Sequence, residues 1–451
     1  MPASPGHARF PRHGLNDSRT QPNTLAARWQ ARITRLLDMH PGEGRVLAWG
    51  GLCIFSLMTA YYVLRPVREM LGVAGGVENL PWLFTGTLLA MLAATPLYAA
   101  LVRALPRQRF IPLVYLFFIA NLLLFAILFA WLSEEQQVWI GRGFFIWLSV
   151  FNLFVVSVFW ALMADLFEPA QAKRLFGVLA AAASVGAIAG SGVAATMARA
   201  VPLPVLMLCA ALLLLLAILC VVRMHVLAGA LHGQPAQRVM EKPIGGGILA
   251  GITHTMRSPY LANICFYMFA YSVTSTFLYF QQATIARDAF ADNGERTAFF
   301  AAVDLTVNTL TLLVQLFLTG RLLRVFGVAV AAAFLPALTL IGFGALAAFP
   351  TLAVLVVFQV LRRVGNFGLS RPTRELLFTV LPREDKYKAK NVIDTVVYRL
   401  GDQLGSWSYA LLGALGFGMV GVSLIALPLA FAWVLNGVWL GRRQQAMQMR
   451  R

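Results

Sequence analysis

Charge is what this sequence is short of. Only 12% of its 451 residues are Asp, Glu, Lys or Arg, while 59% are hydrophobic; an average soluble domain carries about 25% charged residues. With mean hydropathy at +0.72, too little polar surface exists to clothe a water-soluble globule. Acid is scarcer still, 19 residues against 37 Lys and Arg, for a net charge of +18. The four cysteines, Cys53, Cys209, Cys220 and Cys265, lie in apolar runs without CxxC spacing. That indicates neither a disulfide framework nor a thiolate metal site and points to core packing. No HExxH, GxSxG or intact P-loop occurs in a suitable context, and the six histidines do not cluster at ligand spacing. The chain therefore does not read as an enzyme, and no metal or cofactor is expected.

What is present is apolar length. Twelve runs match the ~20 residues that cross a hydrocarbon core: about 46–65, 80–102, 110–132, 138–163, 174–198, 202–222, 259–280, 297–319, 327–348, 350–370, 391–416 and 418–440. The basic residues follow these spans instead of forming a nucleic-acid-binding domain. They gather in the amino-terminal tail, the carboxyl tail and the loops after even-numbered spans, as with Arg103, Arg107 and Arg109, Lys173 and Arg174, Arg321 and Arg324, and Lys386, Lys388 and Lys390. The positive-inside rule then puts both termini in the cytoplasm. Residues 1–45 read as a flexible basic cytoplasmic tail with an amphipathic stretch near Ala26 to Leu37, an organelle transit peptide being the alternative.

The interval 224–258, with Gly245 to Gly247, divides the spans six and six. The expected organisation is thus a tail (1–45), a first six-helix half (46–223), a cytoplasmic linker (224–258), a second half (259–440) and a basic cytoplasmic tail (441–451). An offset of 215 aligns Lys173 with Lys388, Gly186 with Gly401, Gly190 with Gly405 and Ser191 with Ser406. Two parallel six-helix halves related along the membrane normal resemble the major-facilitator architecture, all-α, with a substrate site at the midplane between halves.

Charges inside spans face protein or a wet cavity and point to function. Span 1 ends in Arg65, Arg68 and Glu69, where Pro66 is expected to break the helix; the two arginines either line a cavity or snorkel to headgroups. Arg362 and Arg363 lie near mid-membrane in span 10 and need a carboxylate, an anionic ligand or a wet cavity, with Asn366 extending that polar face. Asp304 in span 8 is a partner for them and a site for a coupling proton, whereas Asn308 and Asn152 suit either a cavity or interhelical bonding. In span 11, 100° per residue gathers Asn391, Asp394, Tyr398, Asp402 and Gly405 on one stripe, with Arg399 within reach of Asp402. Gly401 and Gly405, like Gly186 and Gly190, permit close helix contact.

Three stretches, "YYVLRPVREML", "FWALMADLFEPAQAKRLFGVLAA" and "SRPTRELLFTVLPREDKYKAKNVIDTVVYRLGDQLGSW", resemble the nucleotide transporter family typified by the ATP/ADP antiporters of obligate intracellular bacteria and plastids. Lys173, Arg174, Leu175, Phe176 and Gly177 follow its "EAKRFYGLFG", and Lys388, Ala389, Lys390, Asp394, Arg399, Leu400 and Gly401 follow its "KAKAAIDVVGxRLG". The resemblance implies a secondary exchanger whose basic residues hold phosphates, with Arg68 at the place of a functional lysine. Two departures stand out: Asp402 where the family has Lys, and Leu148 where it has an acid.

The expectation is a multi-pass transporter of the inner or plasma membrane, a monomer in the lipid bilayer, moving a small anionic solute by alternating access. Nucleotide exchange, proton-coupled transport of another solute, and a non-transporting membrane protein of the same fold stay open. Arg65, Arg68, Glu69, Asn152, Arg362, Arg363, Asn366, Tyr398 and Arg399 are the expected substrate-binding residues, with Asp304, Asp394 and Asp402 for coupling or charge balance. Lys173, Arg174, Lys388 and Lys390 form the expected cytoplasmic motif.

Overall fold

The computed structural model describes residues 43–104, 107–231, 258–381, 390 and 392–449, all helical apart from short connections. Its contacts separate Met1–Arg45 from Val46–Arg451. The helices are α1 (Glu43–Ala74), α2 (Leu80–Ala104), α3 (Arg107–Trp131), α4 (Glu134–Leu166), α5 (Pro169–Met197) and α6 (Leu203–Leu231), then α7 (Pro259–Ala289), α8 (Asn293–Phe317), α9 (Thr319–Ala348), α10 (Leu352–Thr379), α11 (Tyr398–Ala414) and α12 (Met419–Met449). Among the described residues eleven are long and apolar enough to cross a membrane. The exception, α11, has 17 residues and continues a π-helical turn at Ile393–Val397. A second π turn, Asn366–Ser370, interrupts α10.

Short polar caps let the chain reverse between long apolar helices. Ser133 and Gln136 form a capping box before α4, and Glu168 and Gln171 another before α5. Asp292 accepts from the Glu295 amide to start α8, and Thr351 caps α10. Large apolar side chains such as Leu212, Ile341 and Leu400 point away from the bundle, as a lipid-facing surface requires.

Several expected boundaries move. Span 1 does not end at Arg65: α1 runs on through Pro66 to Ala74. Proline removes one amide, but the turns on either side keep their bonds and their packing, so the helix continues. The expected carboxyl tail is helical as far as Met449, and α6 extends to Leu231. The tail 1–42 and residues 232–257 of the expected linker lie outside the described residues. In α9, Gly327 has φ +71°, a left-handed value that suits glycine, and marks a kink near the place where span 9 was expected to begin.

The paired glycines make the same contact in each half. A Cβ on Gly186 would lie 2.5 Å from the Phe55 carbonyl oxygen, and one on Gly190 would lie 2.4 Å from that of Thr59, so α5 rests directly on the α1 backbone. A Cβ on Gly401 would meet Ser272 at 2.6 Å and one on Gly405 would meet Thr276 at 3.1 Å, so α11 rests likewise on α7. The glycines repeat at an offset of 215, and their partners Phe55 and Ser272, and Thr59 and Thr276, at 217. Close approach of small residues sets both pairs.

The two halves also pack together at the end where α1 and α7 terminate. Val73, Val77, Leu80, Leu83 and Phe145 of the first half pack there with Phe280, Ala283, Ala286 and Phe300 of the second. This plug closes one end of the space between the halves.

Candidate functional site

Beneath the plug lies a cavity of about 480 Å³ walled by α1, α2 and α4 of the first half and by α10 and α11 of the second. Tyr61, Tyr62, Arg65 and Arg68 line it from α1, Ser149 and Asn152 from α4, Arg371 from α10, and Tyr398, Arg399, Asp402 and Gln403 from α11. A chamber of about 200 Å³ shares Arg65, Phe367, Arg371 and Tyr398 with it, and adds Glu69, Asp304, Arg362 and Arg363. Six arginines and three carboxylates thus line the two spaces. The excess is cationic.

Each charge has a definite setting. Asp304 Oδ1 accepts from Arg65 Nη1 at 2.9 Å and sits 2.7 Å from Arg363 Nη1, so one carboxylate of α8 ties α1 to α10 across the halves. Arg68 donates to Glu69 Oε1 at 3.0 Å and to the Phe145 carbonyl at 3.1 Å, with its guanidinium over the Phe145 ring. The Tyr279 hydroxyl donates to the other oxygen of Glu69, again joining the halves. Arg399 stands 3.8 Å from Asp402 Oδ2, and the Ser272 hydroxyl donates to Asp402 Oδ1. Asn366 donates to the Tyr271 hydroxyl at 2.8 Å.

Arg362 lines the smaller chamber, is 2% exposed and has no carboxylate partner among the described residues. It donates instead to Thr339, Ser275, Thr274 and the Tyr271 carbonyl, at 3.0 to 3.3 Å, beside the Tyr271 ring. Neutral oxygens and a π face satisfy its geometry while leaving its positive charge in the chamber wall.

Asp394 departs from the expected stripe. The stripe assumed 100° per residue, but the π turn at Ile393–Val397 adds a residue to one turn and rotates what precedes it. Asp394 lines neither space and lies 3.5 Å from Arg374 Nη2; Asn391 is outside the described residues. Gly405 packs on α7 instead of facing the cavity. The snorkelling alternative for Arg65 and Arg68 does not hold either, since both turn into the protein. Asn308 donates to Ser191 of α5, an interhelical bond.

Of the expected cytoplasmic motif, Lys390 pairs with Glu375 at 2.6 Å, Lys173 and Arg174 fall in the first turns of α5, and Lys388 lies outside the described residues. Sequence reasoning missed Arg371. Its position five residues after Asn366, across the π turn, lines both spaces, and among the described residues it has no carboxylate partner; its guanidinium lies over the Phe367 ring. It also passed over the aromatic wall of Tyr61, Tyr62 and Phe84, which carries no charge to draw notice.

Comparison with known proteins agrees with this architecture. The bacterial homologue of the iron transporter ferroportin, in an inward-facing state, superposes with a TM-score of 0.59 at 14% identity, covering 87% of this chain and 98% of that one. An auto-inhibited POT family peptide transporter gives 0.59 at 12% identity, covering 90% and 97%. Such low identities establish a shared fold and nothing finer. ADP,ATP carrier protein 1 of Chlamydia muridarum (strain MoPn / Nigg) is 26% identical over 174 residues, which is 34% of this chain and 33% of the carrier. The match thus spans about a third of that relative's length. The TLC ATP/ADP transporter family matches residues 129–444, most of the chain. With its long apolar helices, this multi-pass membrane protein belongs to the TLC ATP/ADP transporter family.

Proposed function

We propose that the protein exchanges nucleotide anions across an inner or plasma membrane by alternating access, with twelve spans and both termini in the cytoplasm. The observation that carries this reading is the excess of arginines over carboxylates around a cavity between the halves, with Arg371 left without a counter-charge among the described residues. A polyphosphate neutralises that excess, and guanidinium forks match phosphate oxygens. Tyr61, Tyr62 and Phe84 offer aromatic faces for a base, in a cavity within the ~300–1,000 Å³ range of small-molecule sites. Asp402 does not oppose a polyanion strongly, because Ser272 and Arg399 already engage its oxygens. A rigid scaffold with no transport role would close each buried charge with an opposite one, and buried Arg362 has no carboxylate partner among the described residues.

The test is counterflow in proteoliposomes. Vesicles loaded with ADP should accumulate labelled ATP, empty vesicles should not, and Arg363→Ala should abolish the signal. Uptake undiminished by Arg363→Ala sinks the site assignment, and a folded protein that moves no nucleotide sinks the substrate.

A further inference from the structure

Pro372 takes bonds out of α10 at the place where Arg371 enters the cavity. Having no amide proton, it cannot donate to the Gly368 carbonyl, its acceptor at α-helical spacing, or to that of Phe367, its acceptor at π-helical spacing. The Arg371 amide, which would serve Phe367 in an α-helix, donates to the Asn366 carbonyl instead and closes the π turn. The Phe367 and Gly368 carbonyls thus each lose the donor that regular geometry would give them. A buried backbone carbonyl left in that state costs free energy.

Side chains from the α8–α9 corner fill both places. Gln315 Nε2, near the end of α8, donates to the Phe367 carbonyl at 3.1 Å, and the hydroxyl of Thr319, the first residue of α9, donates to that of Gly368. The same hydroxyl lies 3.1 Å from the Val314 carbonyl, a longer approach. Gly368 lets the two elements come this near, since a Cβ there would meet Val314 Cγ1 at 2.7 Å. The next carbonyl, Leu369, is served within α10 by the Thr373 hydroxyl. Broken helices persist in a membrane where neighbouring side chains satisfy the freed backbone, because lipid offers no donors. Here the donors fall on the carbonyls just ahead of Arg371, whose guanidinium lies over the Phe367 ring.

We propose that Gln315 and Thr319 are positioning residues for anion binding: by bonding the Phe367 and Gly368 carbonyls they fix the π turn, and so hold Arg371 at the cavity. Neither lines either space, so both act through Arg371 and not on the anion. Loss of either donor leaves a carbonyl unpaired, the turn reorganises to satisfy it, and Arg371 withdraws from its place in the wall. The consequence for binding rests on the anion-transport reading above, whereas the placement of Arg371 belongs to the protein without any ligand. Thr306, whose hydroxyl bonds the Ala302 carbonyl within α8, has no such role and serves as a control.

Two measurements on full-length protein test this. In a background without native cysteines, Arg371→Cys should react with a cationic methanethiosulfonate from the cavity. Adding Thr319→Val or Gln315→Met should slow that reaction by about threefold or more, whereas Thr319→Ser and Thr306→Val should leave it unchanged. Gln315 is exposed, so its substitution keeps the test open should Thr319→Val fail to fold. Titration calorimetry with ADP, in the protein with Arg371 intact, should show affinity falling about three- to tenfold in Thr319→Val and in Gln315→Met, with Thr319→Ser restoring it. In an Arg371→Gln background neither change should weaken binding further, because both act through that side chain. Unchanged labelling in the folded variants overturns the proposal, as does a loss of affinity equally large with and without Arg371. A folded wild type that binds no ADP overturns the nucleotide reading alone, since the labelling rates still decide what holds Arg371.

Discussion

Alanine substitutions at two glycines of α5 separate packing from helix propensity. At Gly190 a Cβ would fall 2.4 Å from the Thr59 carbonyl oxygen, 2.9 Å from Tyr62 Cβ and 3.0 Å from Thr59 Cα. Carbon contacts are optimal at about 3.5–4.0 Å, so α5 must retreat from α1 by roughly 1 Å, and overpacking of this kind costs about 1–3 kcal/mol. At Gly192, two residues on, nothing lies within 4 Å. Both variants gain the same helix preference of Ala over Gly, about 0.8–1.0 kcal/mol, so their difference isolates the contact. Thermal unfolding in mild detergent should place Gly190→Ala about 1–3 kcal/mol below Gly192→Ala. Because α1 carries Tyr61, Tyr62 and Arg65 into the cavity, Gly190→Ala should also slow uptake while Gly192→Ala does not. Equal stability and equal uptake in the two variants would refute the claim that bare backbone contact positions α1.

Two further outcomes follow from single side chains. Arg371→Gln should weaken anion binding at least tenfold, since a charge-assisted bond contributes about 1.5–3 kcal/mol, yet leave the unfolding temperature nearly unchanged because the side chain is exposed and has no ion pair among the described residues; a large stability loss in calorimetry would show that Arg371 is structural. Tyr279→Phe removes a bond between α7 and Glu69 of α1, so the plugged end should open more often, by roughly an order of magnitude in population. Labelling of a cysteine introduced at Phe84, in a background without native cysteines, should accelerate, and an unchanged rate would mean that the apolar plug alone holds that end shut.

Much of this was legible in sequence because a bilayer simplifies the code. Apolar length sets where helices lie, and unpaired charge inside them marks the interior, so Arg65, Asp304, Arg363 and Asp402 could be picked out before any contact was known. What failed were inferences that needed unbroken helical geometry. Pro66 was expected to end a helix that tertiary packing carries on to Ala74, and Asp394 was placed on a stripe that the π turn at Ile393–Val397 interrupts. Arg371 escaped notice because it stands beyond the apolar core of span 10. Only the π turn at Asn366–Ser370 and the continuation of α10 bring it to the cavity.

The repeat itself shows how a symmetric scaffold is made to carry an asymmetric site. Gly186 and Gly190 against α1, and Gly401 and Gly405 against α7, use the same contact twice, which fixes α1 and α7 at related positions on either side of the cavity. At the offset of 217 that relates those contacts, Arg65 corresponds to Gln282, Arg68 to Ile285 and Glu69 to Ala286. Packing positions thus recur on α1 and α7, whereas at these three positions only α1 carries charge. Gln282 accepts from Gln359 at 2.7 Å, a neutral pair in the same chamber as Arg65 and Asp304. Had α7 carried the same arginines as α1, the cationic excess would have grown without carboxylates to hold the empty state together. With neutral glutamines on that side, one acid on α8 suffices to bridge Arg65 and Arg363.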